Sequence, residues 1–261
     1  MMALPESRAR DLLLRYNISS PDGLRDLEAI ANAEGLIIED APLANCQGKI
    51  VYDESCGLIR ISTAIREAGT KRFTIAHEMG HFFNEKPHFN NCTRNDLLPV
   101  RSHRTSENNA NAFAVELLMK REWYMEFVEN RKPGIDTIEA AAEFFGVSLS
   151  AAAIRYSLLA SVPTAVIMSR NRKVLWVSIN KRFPYRFTRR EYSASLSPDP
   201  SDIASGNEIH QKPIPVITDT WSPKDRSSPP PHVLTEECLF MPTYDAVLSL
   251  VWEETIIQNC F

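Results

Sequence analysis

Two histidines four residues apart, His77 and His81, with Glu78 directly after the first, constrain this 261-residue chain more than any other feature. The pattern His77-Glu78-Met79-Gly80-His81 acquires a chemical meaning on a helix. At 3.6 residues per turn, positions four apart lie about 40° apart around the axis and about 6 Å along it. Both imidazoles then face one point and can reach one metal ion at roughly 2.0–2.1 Å. Glu78 is turned about 100° from His77, poorly placed as a ligand but within reach of a water on that ion. With 6 histidines and 33 acidic residues in the chain, chance supplies the pattern about 0.02 times, so coincidence is a poor account of it.

The helix predicted over Arg72–Asn84 places Phe73, Ala76, His77, Gly80, His81 and Asn84 at the i, i+3/i+4, i+7 spacing of a buried face. Gly80 costs a helix interior about 1 kcal/mol relative to alanine, which points to a neighbouring backbone close by.

A catalytic zinc site takes three protein ligands. One zincin pattern puts a third histidine ten residues after the first and a glycine seven after it; here Pro87 and Asn84 stand there, and His88 is off by one. Glu85 shares a face with both histidines but lies about 12 Å from His77 along the axis, too far to share one ion. Glu107 fits better. In a helix predicted over Ser106–Lys120, Glu107, Ala110, Asn111, Ala114, Leu117 and Leu118 form one face. A carboxylate heading a small, apolar stripe is costly unless it is paired or ligates a metal, although the helix dipole also favours a first-turn glutamate. Ala110 and Ala114 would let this helix lie close to Gly80 and Ala76. Glu116, about 180° further round, is expected to face solvent. Cys92, in the loop between the two helices, is a rival third ligand.

Arg72-Phe73-Thr74-Ile75-Ala76-His77-Glu78-Met79-Gly80-His81-Phe82, followed by Glu107-x-x-Ala110-Asn111-x-Phe113-Ala114-x-x-Leu117-Leu118-Met119, resembles the ImmA/IrrE family of cytoplasmic metallopeptidases. The strands Gly48-Lys49-Ile50 and Ile59-Arg60-Ile61 are similar to that family's small sheet. The resemblance implies zinc held by His77, His81 and Glu107, with Glu78 as the base. Manganese or iron would suit the same donors, because affinity order alone does not decide occupancy in a cell. The implied reaction is hydrolysis of a peptide bond, and the implied partner is a helix-turn-helix repressor of the xenobiotic-response-element type, cleaved to release stress or mobile-element genes. The alternative is a non-catalytic, antitoxin-like regulator that binds a repressor or DNA and keeps a structural metal.

The expected fold class is α/β. Residues 1–122 read as a zincin-like metallopeptidase domain, with helices over Arg8–Tyr16 and Gly23–Ala33, the latter capped from Ser20-Pro21-Asp22. Strands are predicted at Leu36–Glu39, Gly48–Tyr52 and Leu58–Ser62, the last two joined as a hairpin through Asp53-Glu54-Ser55. Residues 123–161 read as a helical, helix-turn-helix-like segment: a break at Pro133-Gly134, then Thr137–Phe145, the turn Gly146-Val147-Ser148, and Leu149–Leu159. Arg155 is the only basic residue of that second helix, so direct DNA binding is not expected. Residues 162–261 read as a β-rich regulatory domain, GAF-like by the family resemblance. It has a hairpin of Thr164–Met168 and Lys173–Ile179, a last strand Ala246–Trp252, and long loops where nine of the 17 prolines fall between Pro184 and Pro231.

At 44% apolar and 24% charged, the composition excludes a disordered or fibrous chain. A net charge of −4 gives no support to broad nucleic-acid binding. The longest uncharged stretch, Tyr156 to Ser169, is too short for a membrane span. Glu6 and Asp11 stand where a secretion signal needs apolar residues, and five cysteines without regular spacing fit free thiols. The expected compartment is the cytoplasm. Cys46, Cys56, Cys238 and Cys260 read as buried or incidental rather than as redox sensors, Trp176, Trp221 and Trp252 as packing. His103 and Arg104, just before Glu107, read equally as groups that steady an oxyanion or as inert surface-loop residues.

Overall fold

The computed structural model describes residues 4–85, 89–92, 105–183, 212–217, 221 and 233–253. It is a mixed α/β structure with two sheets, consistent with a zincin-like peptidase domain. The chain divides into two compact units: Met1–Phe127 with Ala140–Ala152, and Val128–Glu139 with Ala153–Phe261.

The first unit opens with α1 (Leu4–Arg15), which buries Ala9, Leu12 and Leu13. The helix expected over Gly23–Ala33 is corrected. A 3-10 turn occupies Pro21–Leu24, where Ser20 makes no side-chain cap bond, and α2 spans only Leu27–Ala33. The start is set by Asp26, whose carboxylate accepts the Ala29 N–H at 2.9 Å, satisfying a first-turn donor that would otherwise be orphaned.

Strands β1 (Leu36–Ala41), β2 (Gly48–Tyr52), β3 (Gly57–Ser62) and β4 (Phe89–Cys92) form a sheet of order β1-β3-β2-β4. The predicted hairpin is present, β2 running antiparallel to β3. Its turn is tied by Asp53, which accepts the Ser55 and Cys56 N–H groups at 2.7 and 2.8 Å; those bonds hold its carboxyl down to about 2. β4 was not foreseen. Its Asn90 and Asn91 carry no strand signal, and it exists because β2 offers an edge, pairing Val51 with Phe89 and Gly48 with Cys92.

Helices α3 (Ala68–Asn84) and α4 (Thr105–Leu118) pack together, and α3 also lies against β2 and β3. A Cβ on Gly80 would lie 2.8 Å from both Cα and O of Ala110, so the close neighbouring backbone expected from Gly80 is that of α4. The expectation for Glu116 fails. It is 3% exposed, accepts a hydrogen bond from Arg10 Nε at 2.8 Å and forms an ion pair with Arg10 Nη2 at 2.7 Å, because α1 covers the face of α4 that the periodicity assigned to water.

Helices α5 (Arg121–Glu129), α6 (Ile135–Phe145) and α7 (Leu149–Leu159) follow, with the break at Pro133-Gly134 as expected. Gly146, at φ +60°, ends α6: Val147 N–H reaches Ala142 O at 3.0 Å and Gly146 N–H reaches Glu143 O at 3.1 Å, the closure a left-handed glycine permits. The chain bends by 114° there. In the first unit Tyr124 donates to Ala152 O at 2.7 Å and stacks on Phe145.

The second unit is built on an antiparallel sheet of order β6-β5-β9-β8-β7: β5 (Thr164–Arg170), β6 (Lys173–Ile179), β7 (Ile214–Ile217), β8 (Val233–Met241) and β9 (Ala246–Trp252). The predicted β5–β6 hairpin turns at Asn171 and Arg172, both at positive φ (+49° and +56°), the conformation whose twist matches the strands. All seven residues of β9 are buried. Ala165, Ile167, Phe183, Trp221, Leu234 and Val251 are among its core residues. Pro215 sits on edge strand β7, where a missing donor is tolerated. Glu237 of β8 accepts the Ile135 N–H at 2.8 Å, capping α6. Burial pushes its carboxyl above the usual range despite that bond, and Asp136 and Glu139 add to the effect. Most of the proline-bearing stretch and Cys260 lie outside the described residues. Among the described residues no single helix is long and apolar enough to cross a membrane.

Candidate metal centre

The close α3–α4 approach at Gly80 brings the first turn of α4 over the middle of α3. Three donor atoms converge there. His77 Nε2 lies 3.1 Å from His81 Nε2, Glu107 Oε2 lies 3.2 Å from His77 Nε2 and 3.6 Å from His81 Nε2. Ligands at about 2.1 Å on a tetrahedral ion are about 3.4 Å apart, so this triangle has the edge lengths of one face of such an ion. The two histidines are fully buried and Glu107 is 3% exposed. The group could hold a metal ion.

What each imidazole does on its far side supports this. His77 Nδ1 meets Asn111 Oδ1 at 3.0 Å and His81 Nδ1 meets Glu85 Oε1 at 2.8 Å. Both acceptors call for a proton on Nδ1, which leaves Nε2 as the nitrogen of each ring that faces the centre. Ser106 of α4 donates to Glu85 Oε1 at 2.5 Å. Burial pushes His77 down, against the opposing pull of Glu107 and Asn111. Burial acts on His81 in the same sense, but its bonds to Glu107 and Glu85 outweigh that and push it up to about 9. Glu107 is also desolvated, yet its bonds to the two imidazoles hold it well below the usual carboxylate range. Glu107, Glu85 and Glu78 all act electrostatically on His81, so three acidic side chains bear on this buried pair of imidazoles.

Glu78 is fully buried beside this triangle. A Cβ on Gly48 of β2 would come within 2.6 Å of Glu78 Oε1 and of Thr74 Cγ2. The berth of this carboxylate is therefore kept by a missing side chain. Its charge is felt by His81, by Cys46, whose thiol burial and Glu78 together push up, and by Tyr52. Tyr52 donates from its hydroxyl to His81 O at 3.3 Å, and burial, with Glu85 and Glu78, raises it far above the usual phenol range.

Of the residues singled out in the sequence, His77, His81 and Glu107 are brought together, with Glu78 next to them. Glu85, set aside as a ligand on axial distance, is on the opposite nitrogen of His81. His88, His103, Arg104 and Pro87 lie outside the described residues, as does the side chain of Cys92, whose backbone pairs on β4. Asn111, Glu85, Ser106 and Tyr52 are the partners that the sequence reading passed over. The available signals were an amide in an Ala/Leu stripe four residues after Glu107, and an acid four residues after His81.

Residues 38–157 match the sequence model of a peptidase family described as the IrrE N-terminal-like domain. The solved structure of a Mycobacterium tuberculosis transcriptional regulator aligns over 97% of this chain and 77% of its own length, with a TM-score of 0.57 and 13% identity. At that identity the likeness speaks for the fold alone. No curated protein sequence matches the chain significantly.

Proposed function

We propose, from the membership of residues 38–157 in the IrrE N-terminal-like peptidase family, that this chain is a zinc-dependent endopeptidase. The observation that carries this is the buried triangle of His77, His81 and Glu107, with the buried carboxylate of Glu78, not part of the triangle, beside it. His77 and His81 would each offer Nε2 to the ion, and Glu107 one negative oxygen. When bound, the ion contributes Lewis acidity, which lowers a water's pKa towards about 7 and polarises the scissile carbonyl. Glu78 accepts the attacking water's proton on its carboxylate and then delivers it to the leaving amine. A site that only stabilised the fold would have no use for a buried base there.

The proposed substrate is a cytoplasmic helix-turn-helix repressor, and cleavage would release genes that it silences. This part rests on the family resemblance; the α6–α7 pair fits a docking role better than DNA reading, since α7 carries Arg155 as its one basic residue. The test is to incubate the zinc-loaded protein with a repressor encoded beside its gene and follow the masses. Two complementary fragments are expected, and none with Glu78→Gln. Stable binding without cleavage would favour the non-catalytic, antitoxin-like reading, and rapid digestion of casein would contradict a narrow substrate range.

A further inference from the structure

The two imidazoles are held from behind by different chemistry. His77 Nδ1 meets a neutral amide oxygen from α4, Asn111 Oδ1, at 3.0 Å. His81 Nδ1 meets a carboxylate from the end of its own helix, Glu85 Oε1, at 2.8 Å. That carboxylate is itself gripped by Ser106 Oγ at 2.5 Å, one residue before Glu107. A neutral imidazole has one N–H and one lone pair, and a ring free to choose its tautomer presents the lone pair to the centre only part of the time. Asn111 is 2% exposed, so its carbonyl oxygen has no bulk water to turn to and costs free energy if left without a donor.

We infer that Asn111 and Glu85 are positioning residues that hold Nδ1 of each ring as the protonated, outward nitrogen, so that Nε2 of both rings is the atom left for the ion. Ser106 extends this on the His81 side. Because Ser106 and Glu107 are adjacent in the first turn of α4, one turn of helix sets both the third donor and the carboxylate behind the second. The site is therefore not three independent ligands. Asn111 and Glu107, four residues apart on α4, grip the two nitrogens of the same ring, His77, at 3.0 and 3.2 Å. Losing Asn111 frees the ring to flip; losing Glu85 removes both an acceptor and a charge that makes His81 a stronger donor.

This inference rests on the metal reading, and the experiment separates the two. Zinc affinity of the full chain is measured by competition with a chromophoric chelator, and nitrogen-15 NMR of the zinc-loaded protein reports the Nδ1–H resonances. Asn111→Ala and Glu85→Ala are each expected to bind zinc about 10–100-fold more weakly and to lose the slowly exchanging Nδ1–H signal of the ring they face. Asn111→Asp and Glu85→Gln keep an acceptor oxygen and are expected to recover the signal and most of the affinity. Equal zinc affinity in the alanine variants and the wild type overturns the inference. So do conservative variants as weak as the alanine ones, which would make packing rather than the hydrogen bond responsible. A wild type that binds no zinc overturns the metal reading itself.

Discussion

The α3–α4 centre and the β8–α6 contact both bury acidic side chains, and they treat them in opposite ways. In the second unit Glu237 finds a backbone N–H, that of Ile135, and closes a helix end. Ser157 donates to Ser178 Oγ at 2.7 Å and Asn180 to Ala160 O at 2.8 Å. Each of these polar groups is consumed by the fold. In the first unit two imidazole nitrogens and a carboxylate oxygen instead point at one another within 3.6 Å, while their outer atoms are satisfied elsewhere. Two lone pairs and a negative oxygen at that separation repel unless a proton or a cation lies among them. Polar groups that converge mark a place for something else; polar groups that pair off mark a completed structure.

The contrast can be broken by showing that substitutions in both places do the same thing. The largest difference is expected for Glu78→Gln, which keeps size and leaves all three proposed donors in place. Turnover should fall about 10²–10⁴-fold while dialysed protein keeps its zinc, measured by metal content beside repressor cleavage. Glu107→Gln should instead lose zinc first, by more than the ~10–100-fold that removing an outer partner costs. Excess zinc should restore part of that activity by mass action and none of the Glu78→Gln loss. Stoichiometric zinc and normal turnover in Glu107→Gln would remove it from the ligand set.

A middle-sized effect is expected from the ion itself. Zinc at 100 times its dissociation constant adds about 2.7 kcal/mol of stability, and hydrogen exchange should show this in α3 and α4 but not in β5 and β9. Slower exchange throughout both units would erase the distinction drawn here. Gly80→Ala should cost about 1–3 kcal/mol, seen as a lower denaturant midpoint together with weaker zinc binding, because the added methyl meets the Ala110 backbone.

The smallest effects belong to Glu237. Its folded pKa is raised, so the stability it contributes is full below the unfolded value of about 4.3 and is lost as pH rises through the folded one. Glu237→Gln keeps an acceptor for Ile135 and removes the charge beside Asp136 and Glu139. Its Tm should therefore gain on the wild type between pH 4 and pH 7. Glu237→Ala loses the cap and should cost about 1 kcal/mol, with zinc content unchanged in both.

The convergence of His77, His81 and Glu107 was legible because helix periodicity is arithmetic: four residues on one helix, and one acid on a small, apolar stripe, leave few arrangements. Gly80 was legible from its cost inside a helix, which called for a close neighbouring backbone. What escaped depended on neighbours distant in sequence. Glu116 is on the outward face of an isolated α4, and only α1, with Arg10, turns that face inward. β4 has no pattern of its own and borrows its form from β2. The start of α2 was set by Asp26 rather than by the more conspicuous Ser20-Pro21-Asp22. Asn111 and Glu85 were visible but uninterpreted, since a hydrogen bond to the far side of a ring is a property of three dimensions.

Gly48 shares one face of β2 with Ile50 and Tyr52, all three buried. Sliding that strand by a single residue would turn the face over, exposing the isoleucine and the tyrosine and presenting Lys49 to Glu78. An ammonium there would neutralise the carboxylate and occupy its berth. Burying the two large side chains is worth about 1.5–3 kcal/mol each, so the register that is best for packing is also the one that keeps a lysine away from the proposed base. Oil and water, indifferent to chemistry, stand guard over a proton acceptor.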